Sequence, residues 1–132
     1  MEGSVNELAR YRLERSYEML TAAEENLNMN QFRTSLNRSY YAVFHGMRAV
    51  NTLDGFDSSK HSGVIAYFNK NFLKEGKLNR ELSKIIKDTS YLREKSDYDD
   101  FFLASRQEAE IQLENAKVFV AAVDQYLKAA LQ

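Results

Sequence analysis

The sequence predicts an all-α fold, a five-helix up-and-down bundle in one domain spanning residues 1–132. Three observations lead there. The chain of 132 residues contains no proline and only five glycines, so few backbone breaks are enforced. Hydrophobic residues make up 44% of it, enough to build a core: area scaling at this mass lets roughly two thirds of the unfolded surface be buried. Apolar side chains then recur at three- and four-residue steps in five separate stretches, the period of a helix face.

The first stretch runs from about Val5 to Leu27, with Leu13, Tyr17, Leu20 and Leu27 on one stripe and Ser4 or Asn6 as N-cap. Polar Asn26-Leu27-Asn28-Met29-Asn30 breaks it. The second, about 30–52, carries Phe32, Leu36, Tyr40, Val43, Met47 and Val50, with a second stripe of Tyr41, Phe44 and Arg48 beside them. Apolar on more than one face, it is expected to be the central helix. Residues 51–59 collect Asn, Asp, Gly and Ser without periodicity and form the clearest loop. A shorter third helix follows, with His61, Ile65, Phe68 and Phe72 in register, Ser58 or Ser59 as cap, and Gly76 ending it. The fourth carries Leu78, Leu82, Ile85 and Leu92 and is expected to stop before Asp97. The fifth starts near Ser105, which has capping-box spacing to Glu108, and carries Leu113, Ala116, Val120, Val123, Leu127 and Ala130 along an antiparallel seam.

Composition narrows the chemistry. Cysteine is absent, which excludes disulfides, zinc ribbons and thiol nucleophiles. Neither of the two histidines sits in a His-Glu-x-x-His pattern or has a Glu three residues before it, so no metal site is expected. Phosphate-binding glycine loops and serine elbows are missing as well, and no cofactor is expected. No apolar run approaches the ~18 residues of a membrane span, and the N-terminus lacks a signal-peptide pattern, so the expectation is a cytoplasmic protein without membrane contact.

The formal net charge of −1 hides an asymmetry. Residues 60–95 carry nine basic and four acidic side chains, whereas residues 96–132 carry three basic and seven acidic. Two readings follow. The third and fourth helices face the fifth with complementary charge, or Lys60, Lys70, Lys74, Lys77, Lys84 and Lys87 form a surface that tracks nucleic acid.

Arg38 and His45 are the residues best suited to chemistry. Seven residues apart on a helix, they project within about 20° of each other, about 10 Å apart along the axis, with Tyr41 between them. Cleavage of RNA needs a group of near-neutral pKa to move the 2′-hydroxyl or leaving-group proton and a fixed cation for charge on the phosphorane. His and Arg supply both. The competing reading makes His45 a hydrogen-bonded core residue and Arg38 the partner of a carboxylate.

The run Asn37-Arg38-Ser39-Tyr40-Tyr41-Ala42-Val43-Phe44-His45 resembles the signature helix of the HEPN family, the higher eukaryotes and prokaryotes nucleotide-binding domains, in which an Arg is followed after four to six residues by a His. The resemblance extends to Lys60-His61-Ser62-Gly63-Val64-Ile65, to Arg93 through Asp97-Tyr98 placed after the fourth helix, and to Ala116-Lys117-Val118-Phe119-Val120. It implies a HEPN-like helical bundle that forms a homodimer and brings the Arg and His of both chains into one cleft for RNA or a nucleotide. It also implies a metal-independent endoribonuclease, a toxin whose antitoxin is a minimal nucleotidyltransferase. Carried over residue by residue, Arg38 is the phosphate and transition-state contact and His45 the general acid/base. Two positions depart from the family pattern. Ser39 stands where nuclease members often have Asn, Asp or His, and Met47 where some toxins carry a modifiable Tyr.

Tyr41, Arg48 and Lys60 are weaker candidates for RNA or phosphate contact, with interface pairing an equal role for Arg48. His61 is expected to pack or cap, Asp97 to pair with Arg93 one turn earlier, and Tyr98 to join the core. Two other function classes stay open: a non-catalytic nucleotide-binding or nucleic-acid-binding module partnering a nucleotidyltransferase, and a purely structural helical dimerisation protein.

Overall fold

The computed structural model describes residues 2–131. Five α-helices form among them, α1 (Glu2–Asn28), α2 (Phe32–Thr52), α3 (His61–Phe68), α4 (Leu82–Tyr98) and α5 (Arg106–Ala130), and a π-helical turn at Asn69–Leu73 extends α3. No strand forms among the described residues. Asn30, at φ 62°, turns the chain between α1 and α2, a left-handed conformation that Asn tolerates better than most residues. Gly76, at φ 75°, takes the same conformation after α3. Ser105 caps α5 as its spacing requires: its hydroxyl accepts from the Glu108 N–H at 3.0 Å, and the Ser105 N–H donates to Glu108 Oε1 at 2.9 Å.

Several boundaries differ from expectation. Helix α1 begins at Glu2, so Ser4 and Asn6 lie inside it. Helix α4 begins at Leu82, with Leu78 in the preceding turn, and runs through Asp97 to Tyr98. Arg93 therefore lies within α4 rather than after it. The Arg93–Asp97 and Lys95–Asp99 pairs, each spanning one turn, support this last stretch. At α3, Lys60 occupies the N-cap position, and the Ser58 hydroxyl accepts from its N–H at 3.2 Å.

Helix α2 packs against α1, α3, α4 and α5, the central position its two apolar stripes predict. Tyr40, Val43, Met47 and Val50 meet Val64, Phe68, Phe72, Ile86, Phe119, Val120 and Val123 in the main core. A second cluster of Ala23, Leu27, Leu36, Ala109 and Leu113 closes the far end.

The α1 seam is made of other residues than the large apolar ones. Leu27 is buried as expected, but Leu13 and Leu20 are half-buried and Tyr17 is 42% exposed. Ala9, Ser16 and Ala23 are fully buried instead, facing a helix whose own buried residues include Ser35, Ser39, Ala42 and Gly46. Ser16 Oγ donates to the Ala42 carbonyl and Ser35 Oγ to the Ala23 carbonyl, both at 2.8 Å. Small side chains let two helices approach closely, and bulky ones are displaced to the flanks.

Candidate functional site

Between residues 35 and 52, α2 is buried everywhere except at Asn37, Arg38, Tyr41, His45 and Arg48. Packing against α1, α3, α4 and α5 consumes the rest of its surface. The face left open thus carries all four α2 candidates at steps of three, four and three. Lys60 is exposed at the start of α3, and among the described residues no side-chain hydrogen bond or ion pair joins it to this stripe.

His45 is half-buried, and its Nδ1 is fully buried without a hydrogen-bond partner. Burial, then the charges of Arg15, Arg48 and Arg12, push its pKa down to about 4. The imidazole is neutral at pH 7, with a lone pair available to accept a proton. Neither Arg15 nor Arg12 was singled out by sequence. Both lie on α1, three residues apart in the chain, and only helix packing brings them to His45.

Arg48 donates to Asp57 at 3.0 and 3.3 Å, and Arg12 donates to the same carboxylate at 3.0 Å and to Thr52 Oγ1 at 2.6 Å. Burial works to raise the Asp57 pKa. The hydrogen bonds from Arg48 and the Ser58 N–H, with the charges of Arg12 and Arg48, outweigh it and hold the carboxyl below its ordinary range. One carboxylate thus answers two guanidiniums, and the excess positive charge lies beside His45.

Toward the other end of the stripe, Arg38 donates to Asn37 Oδ1, while Asn37 Nδ2 donates to Asp97 at 3.1 and 3.3 Å. Asp97 also meets Arg93 at 3.6 Å. The Arg93 guanidinium lies over the Tyr40 ring, 4.7 Å from its centroid, and reaches His61 Nδ1 at 3.2 Å. Tyr40 Oη is 3.0 Å from the same nitrogen. Burial, against the opposing pull of Arg93, raises the Tyr40 pKa to about 12, so the phenol keeps its proton and donates it. With two donors aimed at Nδ1, His61 is neutral and its proton sits on Nε2. Burial and the charges of Arg93 and Arg48 depress its pKa in the same sense. His61 therefore packs, 4.2 Å from the Phe44 ring and edge-on to Tyr41 at 5.7 Å. Tyr98 is 77% exposed and does not enter the core; it is the last residue of α4, and the contacts of this end with α2 are made by Asp97 and the Asp99 carbonyl instead.

Lys60, Lys70, Lys74, Lys77, Lys84 and Lys87 are all exposed. Among the described residues no ion pair joins them to α5, whose charged side chains pair locally or with Glu24. The complementary-charge reading of the basic middle segment has no support in these contacts. No cluster of three or more His, Asp or Glu able to hold a metal forms among the described residues, and no described helix is long and apolar enough to cross a membrane.

The family model for the HEPN domain matches residues 9–126, which includes every residue of this stripe. The chain belongs to the HEPN family. Its relatives include a UPF0332 protein of Thermotoga maritima, 31% identical over 118 residues and covering 89% of each chain. Two proteins of Methanocaldococcus jannaschii, each carrying the name "Putative toxin", are 30% and 32% identical over 87% and 86% of this HEPN chain, and 78% and 89% of their own. A solved structure from Thermus thermophilus superposes with a TM-score of 0.75 at 19% identity, covering 89% of this chain and 97% of that one. At that identity the likeness is one of fold, an all-α helical bundle of the HEPN type.

Proposed function

We propose that this HEPN protein is a metal-independent endoribonuclease acting in the cytoplasm as a homodimer, the toxin of a pair neutralised by a minimal nucleotidyltransferase. The observation that carries the reading is the least covered face of α2 between residues 35 and 52, a half-buried strip that displays Arg38, Tyr41, His45 and Arg48 in line. The names of the two archaeal relatives support a toxin. A second copy seated along the strip would bring two Arg38 and two His45 into one cleft.

The chemistry follows from the side chains. Neutral His45 accepts the proton of a ribose 2′-hydroxyl as that oxygen attacks the adjacent phosphorus. The phosphorane charge is met by Arg38, and the bond to the 5′-oxygen breaks, with the protonated imidazole of either subunit returning a proton to the leaving oxygen. The products are a 2′,3′-cyclic phosphate and a free 5′-hydroxyl. Arg48 and Lys60 contact neighbouring phosphates and Tyr41 offers a ring to a base.

The test is cleavage of structured and unstructured RNA in EDTA. Removing the proton-transfer group by His45→Ala is expected to lower the rate about 10²- to 10⁴-fold, and Arg38→Ala about 10²- to 10³-fold. No cleavage by the wild-type protein, or cleavage by both variants at the wild-type rate, refutes the nuclease. Saturable nucleotide binding that is lost in Arg38→Ala, without turnover, would instead make the protein a binding module. A lower dimer affinity in Arg38→Ala, with no ligand bound at all, would make it a dimerisation protein.

A further inference from the structure

Beside Arg38, the α2 and α4 surfaces form an open, shallow pocket of about 410 Å³ lined by Arg33, Thr34, Asn37, Arg38, Ser96 and Asp97. Its chemistry is mixed. Two guanidiniums and an amide donate, and a carboxylate accepts. The Ser96 hydroxyl is buried and has no partner. A bare phosphate would meet the two guanidiniums but offer no donor to the Asp97 carboxylate beside them. The pocket therefore suits a ligand that presents donors and acceptors side by side.

We propose that this pocket reads a guanine base, with Asp97 taking its N1–H and exocyclic amine and Arg33 its O6 and N7, while Arg38 faces the adjoining phosphate. Among the four RNA bases, guanine alone offers two adjacent N–H donors on its Watson–Crick edge, the match for the two oxygens of one carboxylate. Asp97 has the capacity. Each of its oxygens accepts one hydrogen bond from Asn37, at 3.3 and 3.1 Å, and Arg93 approaches only to 3.6 Å, which leaves lone pairs unused. Arg33 is held in place by its bond to the Asp99 carbonyl at 2.6 Å through Nη2, so its remaining N–H groups stay free for the fork that pairs with guanine O6 and N7. The Asp97–Asn37–Arg38 chain joins the base-reading carboxylate to the proposed phosphate contact. The inference rests on the nuclease reading for its place beside a scissile phosphate, but the pocket itself binds without turnover.

Calorimetric titration with GMP, IMP, AMP and CMP at millimolar concentration tests the pocket directly. GMP is expected to bind at least about tenfold more tightly than AMP or CMP, the discrimination of one good bidentate pair. IMP, which lacks the exocyclic amine, should fall between. Asp97→Asn should bring the GMP-to-AMP ratio close to one, and Arg33→Ala should weaken GMP by about tenfold. Equal binding of GMP and AMP by the wild-type protein, or no binding of any nucleotide, overturns the proposal without relying on a variant. A parallel arm uses an RNA strand with a single G, or inosine or A in its place. A matching cleavage preference assigns the pocket to the substrate strand, whereas GMP selectivity with indifferent cleavage assigns it to a free guanine nucleotide. Guanine-selective binding with no cleavage of any RNA keeps the pocket and refutes the nuclease; cleavage without any base selectivity does the reverse.

Discussion

The charge environment of His45 makes a prediction that does not depend on catalysis. The ordinary imidazole pKa of 6.5 falls to about 4 in the fold, through burial and then the charges of Arg15, Arg48 and Arg12. Between those values the unfolded chain binds a proton that the folded chain refuses, so stability rises with pH across this window. It is fully present above pH 6.5 and is lost as pH falls through about 4. A shift of this size corresponds to about 3.4 kcal/mol at most, and solvent screening of a half-exposed side chain reduces it to about 1–2 kcal/mol. Urea unfolding of the wild-type protein and His45→Gln, at neutral pH and again at a pH just above 4, isolates the effect. Carboxylates and His61 titrate in both proteins and cancel. The wild-type protein should lose about 1–2 kcal/mol more than the variant on acidification, and the His45 Cε1 proton should titrate near pH 4 by NMR. Saturation with a phosphate-bearing ligand should raise that midpoint, because an anion offsets the three arginines. A midpoint at or above the ordinary value, or equal losses in the two proteins, would refute the electrostatic account.

Other perturbations probe the scaffold. Asp57→Ala leaves Arg12 and Arg48 facing each other without a shared anion and should cost about 1.5–3 kcal/mol in denaturant unfolding, with the loss shrinking at high salt as the guanidiniums are screened; a salt-independent loss would point to packing instead. Ser105→Ala removes the cap of α5 and should cost about 1 kcal/mol, a drop of roughly 3–5 °C in Tm by calorimetry, with Glu108→Ala adding little on top because the two residues form one reciprocal unit. Ser16→Leu forces bulk into the α1–α2 seam and breaks the bond to the Ala42 carbonyl; a loss of about 1–3 kcal/mol is expected from overpacking, and an unchanged unfolding midpoint would mean that the seam is looser than its small residues imply. Gly76→Ala meets open space but places a side chain at positive φ, and should cost about 1 kcal/mol by thermal melting.

Local features were legible in sequence wherever the signal is local. The Ser105–Glu108 box, the turn residues Asn30 and Gly76, the Arg93–Asp97 pair and the α5 seam from Leu113 to Leu127 all act over four residues or fewer, and all form. Helix α1 was read less well. Its large residues mark a stripe by size, whereas the seam that touches α2 is selected by closeness and is built from Ala9, Ser16 and Ala23. Periodicity of bulky side chains cannot find a contact defined by their absence. The acidic run at Asp97 suggests a helix end before it, but Asp97 pairs back onto Arg93 within α4 and Asp99 at the C-cap onto Lys95, so the helix ends inside the run, at Tyr98.

The candidate site divides in the same way. Sequence by itself determined that Arg38, Tyr41, His45 and Arg48 share one direction, because helical geometry fixes the angle between residues three, four and seven apart. It also determined the central place of α2, through apolar stripes on more than one face. Sequence could not say that this direction is the one left open, since every neighbour covering the rest of α2 arrives from elsewhere in the chain. Nor could it pair Arg12 with Asp57 across 45 residues, or Arg93 with His61 across 32. Those contacts set the charge on His45, the tautomer of His61 and the link from Asp97 to Arg38. They depend on how helices pack, and charge acts through space rather than along the chain, so only the tertiary structure decided them.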